Sequence, residues 1–227
     1  KHILVIVGSC RKNGNTEQLA DAFIRGAQDA ASRGKSVPRR QKDKRMPWMQ
    51  RLPHGKPCVQ KDDWKEIVPL LEKADLLVLA SPLYFWTLSA RTKAFIERLY
   101  SIAREDPHPP LGRYERYPQK DCALLLTAAD DFFWTFEQAV SYYRFALIRY
   151  IGFCDKGILT AGGCGDTNGR PCIGRTGHLA RAYDFGKNLY AEEDVEECVK
   201  GNFNMKIMIS PAKKMNVDTD SFDCQGL

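Results

Sequence analysis

The chain has 227 residues, 44% of them hydrophobic, which is enough for one α/β domain with extensions and a sizeable core. No long apolar run or signal-peptide pattern is present, so a helical membrane span is excluded and a soluble cytoplasmic protein is expected. The net charge of +6 does not describe a generally basic nucleic-acid binder, because residues 33–45 hold seven Lys/Arg and one Asp, 7 − 1 = +6, and leave the rest formally neutral. Eight scattered cysteines without a C-x-x-C spacing read as free thiols rather than a disulfide framework.

The first predicted element is a buried strand over Ile3–Val7, continuous, apolar and partly β-branched. Gly8–Gly14 is a small, polar turn, and a helix starts near Thr16 with Leu19, Ala20, Phe23 and Ala27 on one face. A strand, a polar loop and a helix N-terminus make an anion site, since backbone N–H groups point outward and the helix dipole favours negative charge. Ser9, Arg11, Asn13, Asn15 and Thr16 add donors suited to phosphate oxygens. The loop is neither a Walker A nor a G-x-G-x-x-G sequence. The following segment should hold a second strand, yet residues 33–45 are polar, charged and interrupted by Pro38.

Leu76–Ala80 is another buried-strand run, which Ser81-Pro82 is expected to end because proline cannot continue a central ladder. Leu83, Tyr84, Phe85 and Trp86 follow, then a helix from about Ser89 with Phe95, Ile96 and Leu99 on one face. Cys122–Thr127 is a third apolar strand, Phe132–Tyr150 a long aromatic-rich helix, Gly157–Ala161 a short strand and Leu179–Leu189 the last helix. Strands alternating with helices imply an α/β fold with a parallel sheet covered on both faces. Loops 8–16, 81–86 and 127–131 all follow strands, so they converge on one rim.

Two stretches carry a family resemblance. Gly8–Thr16, G-S-C-R-K-N-G-N-T, resembles the phosphate loop G-S-x-R-x-x-[GS]-N-T of the NADPH-dependent FMN reductases and their flavodoxin-like quinone reductase relatives. Residues 74–98, from A-D-L-L-V-L-A-S-P-L-Y-F-W to S-A-R-T-K-A-F-I-E-R, are similar to the segment of that family whose S-P-x-Y loop lies along the flavin ring. The resemblance implies a flavodoxin-like three-layer sandwich with a five-stranded parallel sheet of order 2-1-3-4-5. It implies FMN as cofactor, NAD(P)H as co-substrate and a quinone, flavin or similar small molecule as electron acceptor. Pro82, Leu83, Tyr84, Phe85 and Trp86 are then expected against the ring, and Thr127, Ala128, Ala129 and Asp130 at its edge. Phe132, Phe133 and Trp134 would form a lid or face a second subunit, and a homodimer is expected. The flavin carries the chemistry, so no catalytic side chain is expected, and His2, His54, His108 and His178 form no evident constellation. The competing reading is a non-catalytic flavin-binding carrier or sensor.

Many members of that family carry a Cys-rich segment, similar to C-x-G-C-x-x-C, before the D-D of the next helix. Here only Gly55–Asp63 matches its end. Read one base forward, the codons of Met46-Pro47, Trp48-Met49 and Met49-Gln50 force Cys, Gly and Cys, which suggests compensating frame changes across about residues 33–55. Such a cysteine set can hold an iron–sulfur cluster. The chain as it stands keeps only Cys58 of it, so no cluster and no metal are expected. Cys10, inside the loop, is a candidate redox-sensitive thiol. Residues 205–227 resemble the opening of the peroxide stress protein family, as readthrough into or fusion with a neighbouring gene. The expected organisation is a flavodoxin-like domain over 1–190 and an extension over 191–227. Nucleic-acid and membrane partners are not expected.

Overall fold

The computed structural model describes residues 1–30, 33–37, 63–105, 115–165 and 171–190. Most of the span read as frame-changed, Cys58, His54, His108 and the 205–227 tail lie outside the described residues. The chain divides into a compact unit, Lys1–Glu193, and a second unit, Asp194–Leu227.

Five parallel strands form the sheet: β1 (His2–Val7), β2 (Arg33–Val37), β3 (Leu76–Tyr84), β4 (Asp121–Thr127) and β5 (Cys154–Ala161). They pair in the order β2-β1-β3-β4-β5. The expected order is therefore observed, and the charged second segment does supply a strand, which stops before Pro38. Helices α1 (Asn15–Asp29) and α5 (His178–Asn188) cover one face, where Ile3, Val5, Leu76 and Val78 pack with Leu19, Phe23 and Ala182. Helices α2 (Trp64–Lys73), α3 (Ala90–Arg98) and α4 (Glu137–Tyr143) cover the other, where Leu4, Ile6, Leu77 and Leu79 meet Ile67, Leu71, Phe95 and Tyr143. The period-two alternation of an apolar strand buried on both faces sends alternate side chains into the two cores.

Helices α1 and α5 touch through their backbones. A Cβ on Gly26 would lie 1.9 Å from the Tyr183 carbonyl oxygen, and one on Gly186 would lie 2.1 Å from that of Phe23. Only glycine admits this approach.

Three sequence expectations change. The third strand in chain order does not end at Ser81-Pro82 but runs on to Tyr84, with Pro82 paired to Thr127. The carbonyl of Ala80 accepts from the Gly8 N–H on the β1 side. Two residues on, Pro82 faces the same side, where β1 has already ended at Val7, so its missing N–H leaves no ladder bond unmade. The predicted helix over Phe132–Tyr150 starts only at Glu137, because the Phe132 N–H bonds Thr135 Oγ1 and opens a turn. It continues as a π-helical stretch, Arg144–Ile151, closed by left-handed Gly152. Cys154 is disulfide-bonded, whereas Cys10, Cys122, Cys164 and Cys172 are free, so the all-thiol reading does not hold.

A buried polar chain links β4, α4 and β5. The Tyr143 hydroxyl donates to Asp155 Oδ1 at 3.0 Å and lies 3.0 Å from Cys122 Sγ. Burial pushes the Cys122 thiol up to about 12 and raises the Tyr143 phenol well above its ordinary range, so both stay neutral. Tyr143→Phe should cost about 1–2 kcal/mol, read as a lower urea midpoint at an unchanged slope.

Candidate functional site

The loop after β1 is held from three sides. Its first residue, Gly8, donates to Ala80 and accepts from the Ser89 hydroxyl at 2.9 Å. That hydroxyl spends its proton on Gly8, so the Thr92 hydroxyl, 3.0 Å away, donates to it. Ser89 also caps α3 by accepting from the Thr92 N–H. The Ser81 hydroxyl in turn accepts from the Ser89 N–H at 2.9 Å. A Cβ on Gly8 would fall 1.9 Å from Thr92 Oγ1, which is why the loop opens on glycine.

Further along, Ser9 Oγ accepts from the Arg11 N–H at 3.2 Å. Asn13 adopts φ 55°, its N–H bonds the Glu17 carboxylate, and its carbonyl accepts from Gln18 Nε2. Gly14 is the N-cap of α1 and makes no side-chain cap bond, which leaves the first-turn N–H groups facing the loop's concavity. Thr16 Oγ1 lies 2.7 Å from Thr127 Oγ1 and ties this loop to the end of β4.

Asn15 plays a part the sequence did not reveal. Its Nδ2 donates to the Cys164 carbonyl at 2.8 Å, and its Oδ1 accepts from the N–H groups of Cys172 and Ile173 at 3.0 and 3.1 Å. The side chain is thus committed to the protein, and only its backbone N–H remains for an anion.

Beyond Pro82, β3 pairs antiparallel with Thr87–Leu88 through a two-residue turn, Phe85-Trp86. Both residues are left-handed, φ 47° and 58°, a conformation that costs bulky residues on the order of 1–2 kcal/mol each. Trp86 packs 5.7 Å from Trp134, which stacks on Phe132 at 5.5 Å, so the loops after β3 and β4 meet through rings. Phe85 and Phe133 project into solvent, 92% and 93% exposed.

The loops enclose a cleft of about 680 Å³, a size suited to a mononucleotide-class ligand. Of the residues singled out from sequence, Ser9, Arg11, Asn15, Thr16, Pro82, Leu83, Tyr84, Thr127, Ala128 and Ala129 line it. Asn13, Phe85, Trp86 and Asp130 do not: Asn13 is turned into the Glu17 contact, and the two aromatics sit at the apex of the hairpin. Lys12, Gly14, Cys164, Gly165 and Pro171 line it without having been anticipated. Lys12 and Gly14 belong to the anion loop that the sequence showed. The wall at Cys164, Gly165 and Pro171 was not, because its Gly/Cys composition carries no donor signature.

That wall is fastened to the loop after β4 by the Cys164 N–H to the Ala128 carbonyl, 2.9 Å, and the Gly165 N–H to that of Ala129. His178 at the start of α5 sits 3.0 Å from the Gly162 carbonyl through Nε2 and 3.2 Å from an Arg181 guanidinium nitrogen through Nδ1. The carbonyl calls for a donor and the guanidinium for an acceptor, which selects the Nε2–H tautomer. Cys10 is exposed and outside the cleft lining. Among the described residues no group of His, Cys, Asp and Glu has metal-holding geometry.

A twisted parallel sheet with its cleft at the strand carboxyl ends, beside the point where strand order reverses, defines a flavodoxin-like α/β protein. The NAD(P)H:quinone oxidoreductase from Methanothermobacter marburgensis superposes with a TM-score of 0.60 at 17% identity, over 83% of this chain and 95% of that one. RosB with a bound formylriboflavin phosphate superposes at 0.58 and 15% identity, over 99% of both chains. Residues 2–113 match the NADPH-dependent FMN reductase family model. An iron-sulfur flavoprotein of Archaeoglobus fulgidus is 33% identical over 98 residues, 41% of this chain and 43% of that protein. The chain thus spans less than half the length of this curated relative.

Proposed function

We propose that this chain is an FMN-dependent oxidoreductase that takes hydride from NAD(P)H and passes electrons to a small-molecule acceptor such as a quinone, a flavin or an azo compound. The carrying observation is that loops from four strands converge on one cleft whose inner end is an uncapped helix N-terminus beside Arg11 and Lys12. That donor set suits a phosphate dianion, and the apolar wall of Pro82, Leu83 and Tyr84 suits a flat ring. FMN, when bound, supplies the hydride and electron chemistry. The protein's part is to hold the phosphate with Ser9, Arg11, Thr16 and first-turn N–H groups. Leu83 and Tyr84 shape the ring side, while Thr127, Ala128 and Ala129 border its edge.

The family match, the flavoprotein relative and the quinone oxidoreductase neighbour support this reading. The exposed rings of Phe85 and Phe133 beside the cleft support a homodimer that covers them, tested by light scattering, with a monomer at all concentrations rejecting it. No described helix is long and apolar enough to cross a membrane.

The functional test is an anaerobic visible spectrum with FMN, before and after NADPH and then NADH. Perturbed flavin bands that bleach on addition support the oxidoreductase. Bound flavin that stays oxidised with both nucleotides points instead to a carrier or sensor, and unperturbed bands reject flavin binding. Arg11→Ala should weaken FMN binding roughly 10- to 100-fold, the worth of one charge-assisted contact, measured by flavin fluorescence titration.

A further inference from the structure

We propose that Cys164 and Cys172 form a reversible dithiol–disulfide site on the wall of the cleft, oxidised by a small disulfide. Both residues carry free thiols. The Asn15 amide draws their backbones together by bonding the Cys164 carbonyl with one end and the Cys172 N–H with the other. Cys172 Sγ lies 3.3 Å from the Gly165 carbonyl and 4.0 Å from that of Gly163, the two residues flanking Cys164. Cys164 Sγ rests 3.5 Å from the carbonyls of Ala161 and Gly162. The second thiol is therefore seated against the backbone that carries the first.

The two thiols differ in a useful way. Cys164 is buried, and burial first, then the Cys172 thiol and Asp131, push it up to about 11. Cys172 is only half-buried and is the accessible partner. Cys172 thiolate attacks the small disulfide, forming a mixed disulfide and releasing one thiolate. Cys164, deprotonated, then attacks Cys172 Sγ and expels the second. The net change is two protein thiols plus RSSR giving one protein disulfide plus two RSH. Cys164 lines the cleft, so closing the bond reshapes the wall beside Ala128. That last consequence rests on the flavin reading above, whereas the thiol chemistry does not.

The whole chain is equilibrated anaerobically in oxidised or reduced glutathione, acid-quenched, alkylated with iodoacetamide and digested with trypsin. Lys156 and Arg175 bound a peptide, residues 157–175, that holds only these two cysteines, because Arg170 precedes Pro171 and resists cleavage. The expected product in oxidised glutathione is an unalkylated peptide two hydrogens lighter, restored to a doubly alkylated one by dithiothreitol. A persistent glutathione adduct, or two alkyl groups in both buffers, overturns the proposal. Cys172→Ser should leave Cys164 without a disulfide. If that variant does not fold, the wild-type peptide mass decides alone. FMN affinity is expected to differ about fivefold or more between the two states of the wild type. Equal affinity rejects the coupling to the cleft. Absence of FMN binding in both states rejects the flavin reading while the peptide mass still decides the thiol site.

Discussion

Asn15→Ala should lower the stability of the Lys1–Glu193 unit by about 2–4 kcal/mol, far more than loss of a surface amide, because three hydrogen bonds go at once and leave buried backbone groups unpaired. The bonded groups are the Cys164 carbonyl and the N–H groups of Cys172 and Ile173. Asn15→Asp separates the structural part of this role from the electrostatic part. Its carboxylate still accepts both N–H groups, and a negative charge in the first turn of α1 is favourable by about 0.3–1 kcal/mol. It opposes only the Cys164 carbonyl, so its stability should fall between wild type and alanine. Its charge, however, enters the anion cradle, so it should bind FMN more weakly than the alanine variant does. Urea midpoints and flavin titrations on the three proteins give the two orders. Identical orders in both measurements would reject this division of labour.

The second large effect is expected where α1 and α5 meet. Gly26→Ala and Gly186→Ala should each destabilise by at least about 3 kcal/mol through overpacking, although alanine returns about 1 kcal/mol of helix propensity. The atoms in the way are the carbonyl oxygens of Tyr183 and Phe23, which are backbone and move only if a whole helix moves. Once one methyl has separated the helices the second meets less resistance, so the double variant should cost less than the sum. Gly174→Ala is the control. Nothing lies within 4 Å of its Cβ position and its φ is not left-handed, so it should be neutral or stabilising by about 0.4–1 kcal/mol. Equal losses at all three glycines would refute the close approach.

β1, β3 and β4, and the three cleft loops that follow them, were legible because these strands are apolar runs followed by small or polar residues, whereas the charged β2 was not. Where reading failed, the cause was local. Pro82 looked like a strand breaker because sequence does not show the pairing register, which ends at Val7 opposite Ala80 and puts Pro82 beyond it. The Phe85-Trp86 hairpin turn was invisible, since such turns normally announce themselves with Asn or Gly and here two aromatics take the left-handed positions. Cys154-Asp155-Lys156 hid the start of β5 because an edge strand needs apolar side chains less than a central one. Asn15 looked like a phosphate donor from its place in the loop, whereas its partners lie 149 to 158 residues away.

Those separations bear on synthesis. Gly26 and Gly186 stand 186 − 26 = 160 residues apart, and contacts of such range are the slow, entropically demanding ones in folding. On the ribosome α1 emerges among the first segments, but its helical partner and the residues that grip Asn15 emerge among the last. Throughout that interval α1 has no α5 to dock against, and its side facing α5 stays uncovered while its other side packs on β1 and β3. On the proposed FMN reading, flavin loading follows completion of the cleft wall around Cys164 and Pro171, and a nascent chain stalled before His178 should retain no flavin.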